Sequence, residues 1–325
     1  MSRAGRQIRA VAGSGLVALA LAAAARAQEP VKLEARFPEG QTLRYQILTR
    51  MNQQVKNLGM EMPSSLNRTV VRSEAIGKRR GDSGLPIAVK VELLRERQRL
   101  PAGLDVSYDS KAATVKVANP DLDFFKDVYK VDTQVAYTVV LDGQNRVKAI
   151  EGADALRERV DKLDPRAADL LRSRLAADAL KEEFAQTHAL GALPDGPVKP
   201  GASWERTEAV DRGGGLELVL RKKYEYAGTE KKGDKTLDKI TAKVLEAKYR
   251  QDADSSAPLK VAKGELKVGT SEGTILFDRG AGRVVESRDR VELTGGLTFS
   301  AQGQEQRVGF DLTMRIEVQL QEGGK

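Results

Sequence analysis

Alternation of apolar and polar residues dominates this chain. Over residues 43–51, Leu43, Tyr45, Ile47, Thr49 and Met51 share one face of an extended strand, while Arg44, Gln46 and Arg50 share the other. That is the pattern of a half-buried β-strand. Near the C-terminus Val308, Phe310, Leu312, Met314, Ile316, Val318 and Leu320 alternate with Gly309, Asp311, Thr313, Arg315, Glu317 and Gln319. At 3.3 Å per residue this strand would be roughly 43 Å long, too long to stay flat. It should twist and curl as strands do in half-barrels.

Helical signals are confined to the middle. Asn119-Pro120 can cap and start a short helix carrying Leu122, Phe125 and Val128. After a strand over 135–150, Leu156, Val160 and Leu163 recur at helical spacing. Asp164-Pro165 then offers an N-cap and a proline at the first helical position for a third, longer helix. Its apolar stripe includes Leu171, Leu175, Ala179 and Phe184, and it should stop at Gly191. The proline- and glycine-rich stretch that follows marks a boundary between two halves.

Those halves read as divergent copies. FPEGQTLRY (37–45) matches VKPGASWER (198–206), placing Gly40 with Gly201 and Leu43 with Trp204. The segments 75–97 and 226–248 share a basic Gly-Asp turn, at Gly81-Asp82 and Gly233-Asp234. TVVLDGQNRV and TILFDRGAGRV pair Asp142 with Asp278. The expected fold is α+β: two related curved antiparallel β-sheets, half-barrel-like, with a helical segment between them. The chain divides into 1–27 as signal peptide, 28–150 as an N-terminal β-rich half, 151–191 as a helical segment and 192–325 as a C-terminal β-rich half.

Several strings also carry a family resemblance. VSYDS at 106–110, the Asn119-Pro120 helix start, TVVLDGQNRV, LPDGPVKPGASW and GELKVGTSEGTILFDRGAGRVVES together resemble a bacterial exported family, the domain of unknown function numbered 6263. The resemblance covers nearly the whole mature chain and rests on turns and strand punctuation. It implies export and a β-rich fold, and supplies no active site. Paired curved sheets with an internal helix are similar, at the level of fold analogy, to the half-barrels of periplasmic lipoprotein carriers.

Residues 1–27 shift the picture from a basic protein to an exported one. Arg3, Arg6 and Arg9 precede an apolar run from Val11 to Ala25, and Ala25-Arg26-Ala27 forms a small-x-small cleavage site. We expect cleavage after Ala27 and no transmembrane anchor, because a membrane span needs about 20 apolar residues. No Arg-Arg pair precedes the apolar run, which favours the general secretory route, and the destination is the periplasm or the cell exterior. Removal takes four arginines and no acids, lowering the formal charge from +8 to +4. A small excess among many acids argues against a nucleic-acid binder. The chain has no cysteine, so no disulfide can support the fold.

Candidate chemistry is sparse. His188 is the single histidine, so a His-based metal site, a Ser-His-Asp triad and a Cys-His pair all lack parts. We read it as a helix-end or surface residue, with a cation favoured there by the helix dipole. Asp105 with Asp109, Asp121 with Asp123, and Asp252 with Asp254 are candidate carboxylate pairs, and they read as cap or solvated residues. Gly213-Gly214-Gly215 lacks the lysine and hydroxyl of a phosphate loop. Arg80-Gly81-Asp82 reads as a hairpin tip, and the basic runs Lys78–Arg80 and Arg221–Lys223 read as charges that blunt strand edges. No cofactor is called for.

With 7 Phe, 7 Tyr and 1 Trp, aromatic positions are few enough to name. Phe124, Phe125 and Tyr129 on the short helix, and Trp204 after the Pro-Gly turn, read first as core plugs and second as the lining of an apolar ligand pocket. The functional expectation is a non-catalytic binding or carrier module of the cell envelope for a lipid or other apolar ligand. The alternative is a structural or interaction protein with a filled core, binding an envelope protein or polysaccharide. A hydrolase using paired carboxylates ranks third. A cavity of several hundred cubic ångströms would favour the first, and converging buried acids would promote the third.

Overall fold

A computed structural model describes residues 29–211, 216–251, 260–301 and 304–321. The segment 1–27 expected to be a signal peptide, Gly213–Gly215, and Asp252 with Asp254 lie outside the described residues. The N-terminal half contributes β1 (Thr42–Asn57), β2 (Met60–Ile76), β3 (Leu85–Arg99), β4 (Asp105–Asp109), β5 (Thr114–Val117), β6 (Ala136–Leu141) and β7 (Val147–Glu151). The C-terminal half contributes β8 (Ser203–Asp211), β9 (Leu216–Lys232), β10 (Lys235–Gln251), β11 (Lys260–Asp278), β12 (Arg283–Ala301) and β13 (Gln304–Leu320). Four α-helices stand among the described residues: α1 (Phe125–Asp132), α2 (Ala153–Val160), α3 (Pro165–Arg172) and α4 (Ala177–Thr187).

The expectation of two sheets is corrected: all 13 strands belong to one open antiparallel sheet. Its order is β5-β4-β3-β2-β1-β13-β12-β11-β10-β9-β8, with β6 sharing the outer edge of β3 with β4 and carrying β7. The cause is the pairing of β1 with β13, in register from Tyr45↔Leu320 to Lys56↔Gly309. Each would otherwise present a long unpaired edge of N–H and C=O groups. The alternating C-terminal stretch is indeed a strand, and at 17 residues it is longer than its apolar pattern.

The matched turns occupy matching settings. Gly40 N–H donates to Ile76 O, and Ile76 N–H to Gln41 O; Gly201 N–H donates to Tyr226 O, and Tyr226 N–H to Ala202 O. Both glycines have positive φ, +77° and +84°, a conformation that costs glycine nothing.

The sheet curls. Tyr249 on β10 meets Phe310 on β13 edge-on at 5.7 Å although β11 and β12 lie between them. That contact belongs to a secondary apolar cluster at the far end of β9–β13, built around Leu218, Leu220, Leu293 and Leu312. The main core lies on the concave face of β1–β3, β6 and β9–β11, covered by the helices. Residues 31–37 cross it as an alternating strap with Val31, Leu33, Ala35 and Phe37 buried. Val31 bridges Val198, Arg36 N–H donates to Gly282 O, and Asn145 Nδ2 donates to Ala35 O. The strap thereby ties turns of both halves together.

The Asp164 start is as read, its side chain accepting from Arg166 N–H ahead of α3, whereas Asn119 accepts from Asp121 N–H to cap a 3-10 turn (Pro120–Leu122) that precedes α1. The third helix is corrected: it breaks into α3 and α4, with Ala176 extended between them (ψ 149°). No Gly or Pro forces the break. It lets Leu171 and Leu175 on one side and Leu180 and Phe184 on the other all reach the core. No helix among the described residues is long and apolar enough to cross a membrane.

One turn glycine is indispensable. Gly84 has φ +100°, and a Cβ there would lie 2.4 Å from Leu141 O and 2.9 Å from Val140 Cγ1. Gly81 has φ +50° with open space around it. Gly84→Ala should lower the unfolding free energy by more than about 2 kcal/mol and Gly81→Ala by about 1 kcal/mol. Urea denaturation of both variants checks this, and equal losses would refute the packing argument.

Candidate functional site

Strand pairing puts charged residues on the concave face. Directly opposed residues of antiparallel strands point to the same side, so Tyr45, Arg72 and Val91 form one row and Leu43, Glu74, Val89 and Tyr137 the next. A further row joins Thr49, Arg68 and Glu96. On the other half, β9 turns Leu218, Leu220, Lys222, Tyr224 and Tyr226 inward, all buried.

Between this face and α4 with its following turn lies a cavity of about 780 Å³. Ile47, Val70, Val89, Leu180, Leu190 and Ile275 are among its apolar lining. Glu183, Asp195 and Arg288 stand at its solvent rim, with side chains 47%, 92% and 65% exposed.

Three ionic clusters border it. Arg72 is 1% exposed; its Nε donates to Glu74 Oε1 at 2.8 Å and its Nη1 to Glu183 Oε1 at 2.9 Å. The second oxygen of Glu74 meets His188 Nε2 at 2.7 Å. Burial alone would raise the Glu74 carboxyl, but His188 and Arg72 together hold it below the ordinary range. Burial likewise opposes the charge on Arg72, and its acidic neighbours more than offset that. In the second cluster Arg68 bridges Glu96 and Asp132, and Arg174 grips both oxygens of Asp132 at 2.6 Å. In the third, Lys222 reaches Glu208 on β8 and Asp289 on β12. Gly273 of β11 clears the path, since a Cβ there would lie 3.4 Å from Asp289 Oδ1 and 2.8 Å from the Ala242 Cβ.

Among the described residues, three buried side-chain polar atoms have no hydrogen-bond partner: Arg72 Nη2, Tyr137 Oη and Arg174 Nε. All three residues line this cavity. Burial pushes the Tyr137 phenol up against the opposing pull of Arg72, so it remains a hydroxyl donor at neutral pH.

The residues singled out in the sequence lie elsewhere. Phe125 and Tyr129 are core, 4% and 1% exposed, and Tyr129 stacks on Tyr108 at 4.6 Å while its hydroxyl donates to Glu96. Phe124 lies under the Arg166 guanidinium at 4.7 Å. Trp204 donates from Nε1 to Ala192 O and stacks on Tyr224. None of the four lines the cavity, although Ala192 and Tyr224 do.

His188 does cap the end of α4, but it is buried, not a surface residue. Phe37, Tyr45 and Phe184 surround its ring at 5.0, 5.1 and 4.4 Å. Asp109 pairs with Arg95 and Asp123 with Lys126, both at the surface. Arg221–Lys223 is not an edge run, because β8 covers β9 and Lys222 turns inward. The residues that build the site were missed because their signal is weak. It consists of Arg68, Arg72 and Glu74 falling in phase with Leu66, Val70 and Ile76 on one strand face.

The Glu74 cluster makes the fold acid-sensitive. A carboxylate whose folded pKa is depressed adds stability above its unfolded value of about 4.3, and that stability is lost as pH falls through the folded value. Glu74→Gln should therefore lose about 3 kcal/mol at pH 7 and less on acidification from pH 5 to pH 3 than the parent. Urea unfolding across that range measures both, and parallel pH curves would remove Glu74 as the titrating group.

No family model matches the sequence, and no curated protein does. Among solved structures the chain is similar to a lipovitellin described for its lipid–protein interactions, at 11% identity and TM-score 0.42 over 88% of this chain. The chain spans 26% of that protein's length. It is also similar to an outer-membrane channel from Pseudomonas putida F1, at 11% identity and TM-score 0.18 over 90% of this chain and 99% of that one. A DUF1329 family protein from Desulfovibrio piger aligns at 9% identity and TM-score 0.14 over 86% of this chain and 87% of that one. Likenesses this distant carry no argument about activity.

Proposed function

We propose that this chain is an exported, non-catalytic binding or carrier protein of the cell envelope that holds a lipid or another apolar ligand between the curled sheet and α4. The cavity carries this reading: about 780 Å³ with an aliphatic floor is within the ~300–1,000 Å³ of small-molecule sites. An acyl chain buried there gains roughly 25 cal/mol per Å² of apolar surface. Export rests on the segment 1–27, and membership in the exported family of unknown function is part of the same proposal. A filled core, which the interaction-protein alternative needs, is at odds with the cavity. The hydrolase alternative is weakened because the acids that converge here do so around Arg72, Arg68 and Lys222.

The test is native mass spectrometry of the protein purified from the soluble exported fraction, before and after incubation with an envelope lipid extract. Wild type should carry a stoichiometric lipid. Ala242→Trp takes up part of the cavity beside Tyr224, and should weaken the adduct at a stability cost of about 1–3 kcal/mol. A wild-type protein that stays empty, or a Trp variant that binds as well as wild type, overturns the proposal.

A further inference from the structure

The three orphaned donors bear on what such a ligand must be. A buried polar atom without a partner costs about 1–3 kcal/mol, more when charged, so such atoms are rare unless something else satisfies them. Arg72 and Tyr137 are 1% and 6% exposed, so bulk water does not explain them. They come from adjacent rows of one sheet face, and Arg174 adds its Nε from the α3–α4 connection. Every free atom is a donor or, for the phenol, able to donate. Arg72 Nη2 and Tyr137 Oη thus stand beside the aliphatic part of a cavity whose other walls carry paired charges, and donors so placed match an acceptor-only group attached to an apolar body.

Resting on the carrier reading, we infer that the ligand is an amphiphile with an anionic headgroup, a carboxylate or a phosphate monoester, whose oxygens bind Arg72 and the Tyr137 hydroxyl while its chain occupies the aliphatic floor. The protein already shows that Arg72 accepts a carboxylate at this position, because Glu183 sits on Nη1 at 2.9 Å. Glu74 is fixed by two partners and is fully buried, whereas the Glu183 side chain is 47% exposed. Glu183 is therefore a resident carboxylate that can move into water. A ligand oxygen pair taking its place would span Nη1 and Nη2, the bidentate geometry that guanidinium favours. For a carboxylate headgroup the exchange leaves the charge balance around Arg72 unchanged, which avoids burying an extra unpaired anion.

This predicts opposite signs for two mild substitutions. Tyr137→Phe removes a headgroup donor and a hydroxyl that has no partner in the protein. Glu183→Gln removes the competing carboxylate. The probes are palmitate, hexadecyl phosphate and hexadecanol, with dissociation constants measured by titration calorimetry below their aggregation concentrations. Wild type should bind at least one of the two anions tenfold or more tighter than the alcohol, and the comparison between them separates carboxylate from phosphate. Tyr137→Phe should cut that preference about fivefold or more, and Glu183→Gln should tighten the anion severalfold while leaving the alcohol unchanged. Arg72→Met should abolish the preference, with circular dichroism reporting whether it still folds. If the alcohol binds as tightly as both anions, or if Tyr137→Phe and Glu183→Gln leave the preference untouched, the headgroup assignment falls while the carrier reading stands. If none of the three binds, both fall.

Discussion

The backbone hydrogen bonds between β1 and β13 are the constraint on which the molecule depends. They join the first long strand to the last, from Tyr45↔Leu320 to Lys56↔Gly309, and convert two meanders into one continuous sheet. Without them both strands would offer long edges, which are templates for aggregation. With them, strands of up to 19 residues accumulate twist in one direction. The sheet has to curl, and its concave face has to be covered.

Covering a curled face is harder than covering a flat one. The strap 31–37 and the four helices fill it near the turns, and a separate apolar cluster fills it at the far end of β9–β13. Members of both clusters line the cavity, which is the space left between the sheet and α4. Charged side chains border that remainder, each held by partners because an unpaired buried charge would be prohibitive. Arg72, Arg68 and Lys222 each draw acids from separate strands or helices. These clusters pin elements that are distant in sequence, so the shape of the cavity and the stability of the fold are coupled.

Much of the architecture was legible in the residues. Period-two alternation marked β1 and β13, while Asn119 and Asp164 marked helix starts by side-chain capping. The glycines at 40 and 201 marked turns that share a hydrogen-bond pattern. The break between α3 and α4 was not legible, because no Gly or Pro stands there and only the direction of the core decides it. The aromatic residues stood out through size and rarity, first as core plugs and second as ligand lining, and Phe125 and Tyr129 are buried. The site residues Arg72, Glu74, Tyr137 and His188 are scattered over β2, β6 and the end of α4, and beyond the shared strand face of Arg72 and Glu74 no spacing rule connects them.

The sequence by itself determined the local geometry: which residues share a strand face, where turns fall, where helices begin, and that no cysteine chemistry takes part. These follow from interactions between residues a few positions apart, which periodicity and capping encode directly. Tertiary structure alone decided that the halves form one sheet, that charged residues in phase with apolar ones face a cavity, and which donors remain unpartnered there. Those outcomes depend on pairings across tens to hundreds of residues, such as His188 with Glu74 or β1 with β13. The free energy of such contacts is set by burial and geometry that exist only once the chain has folded.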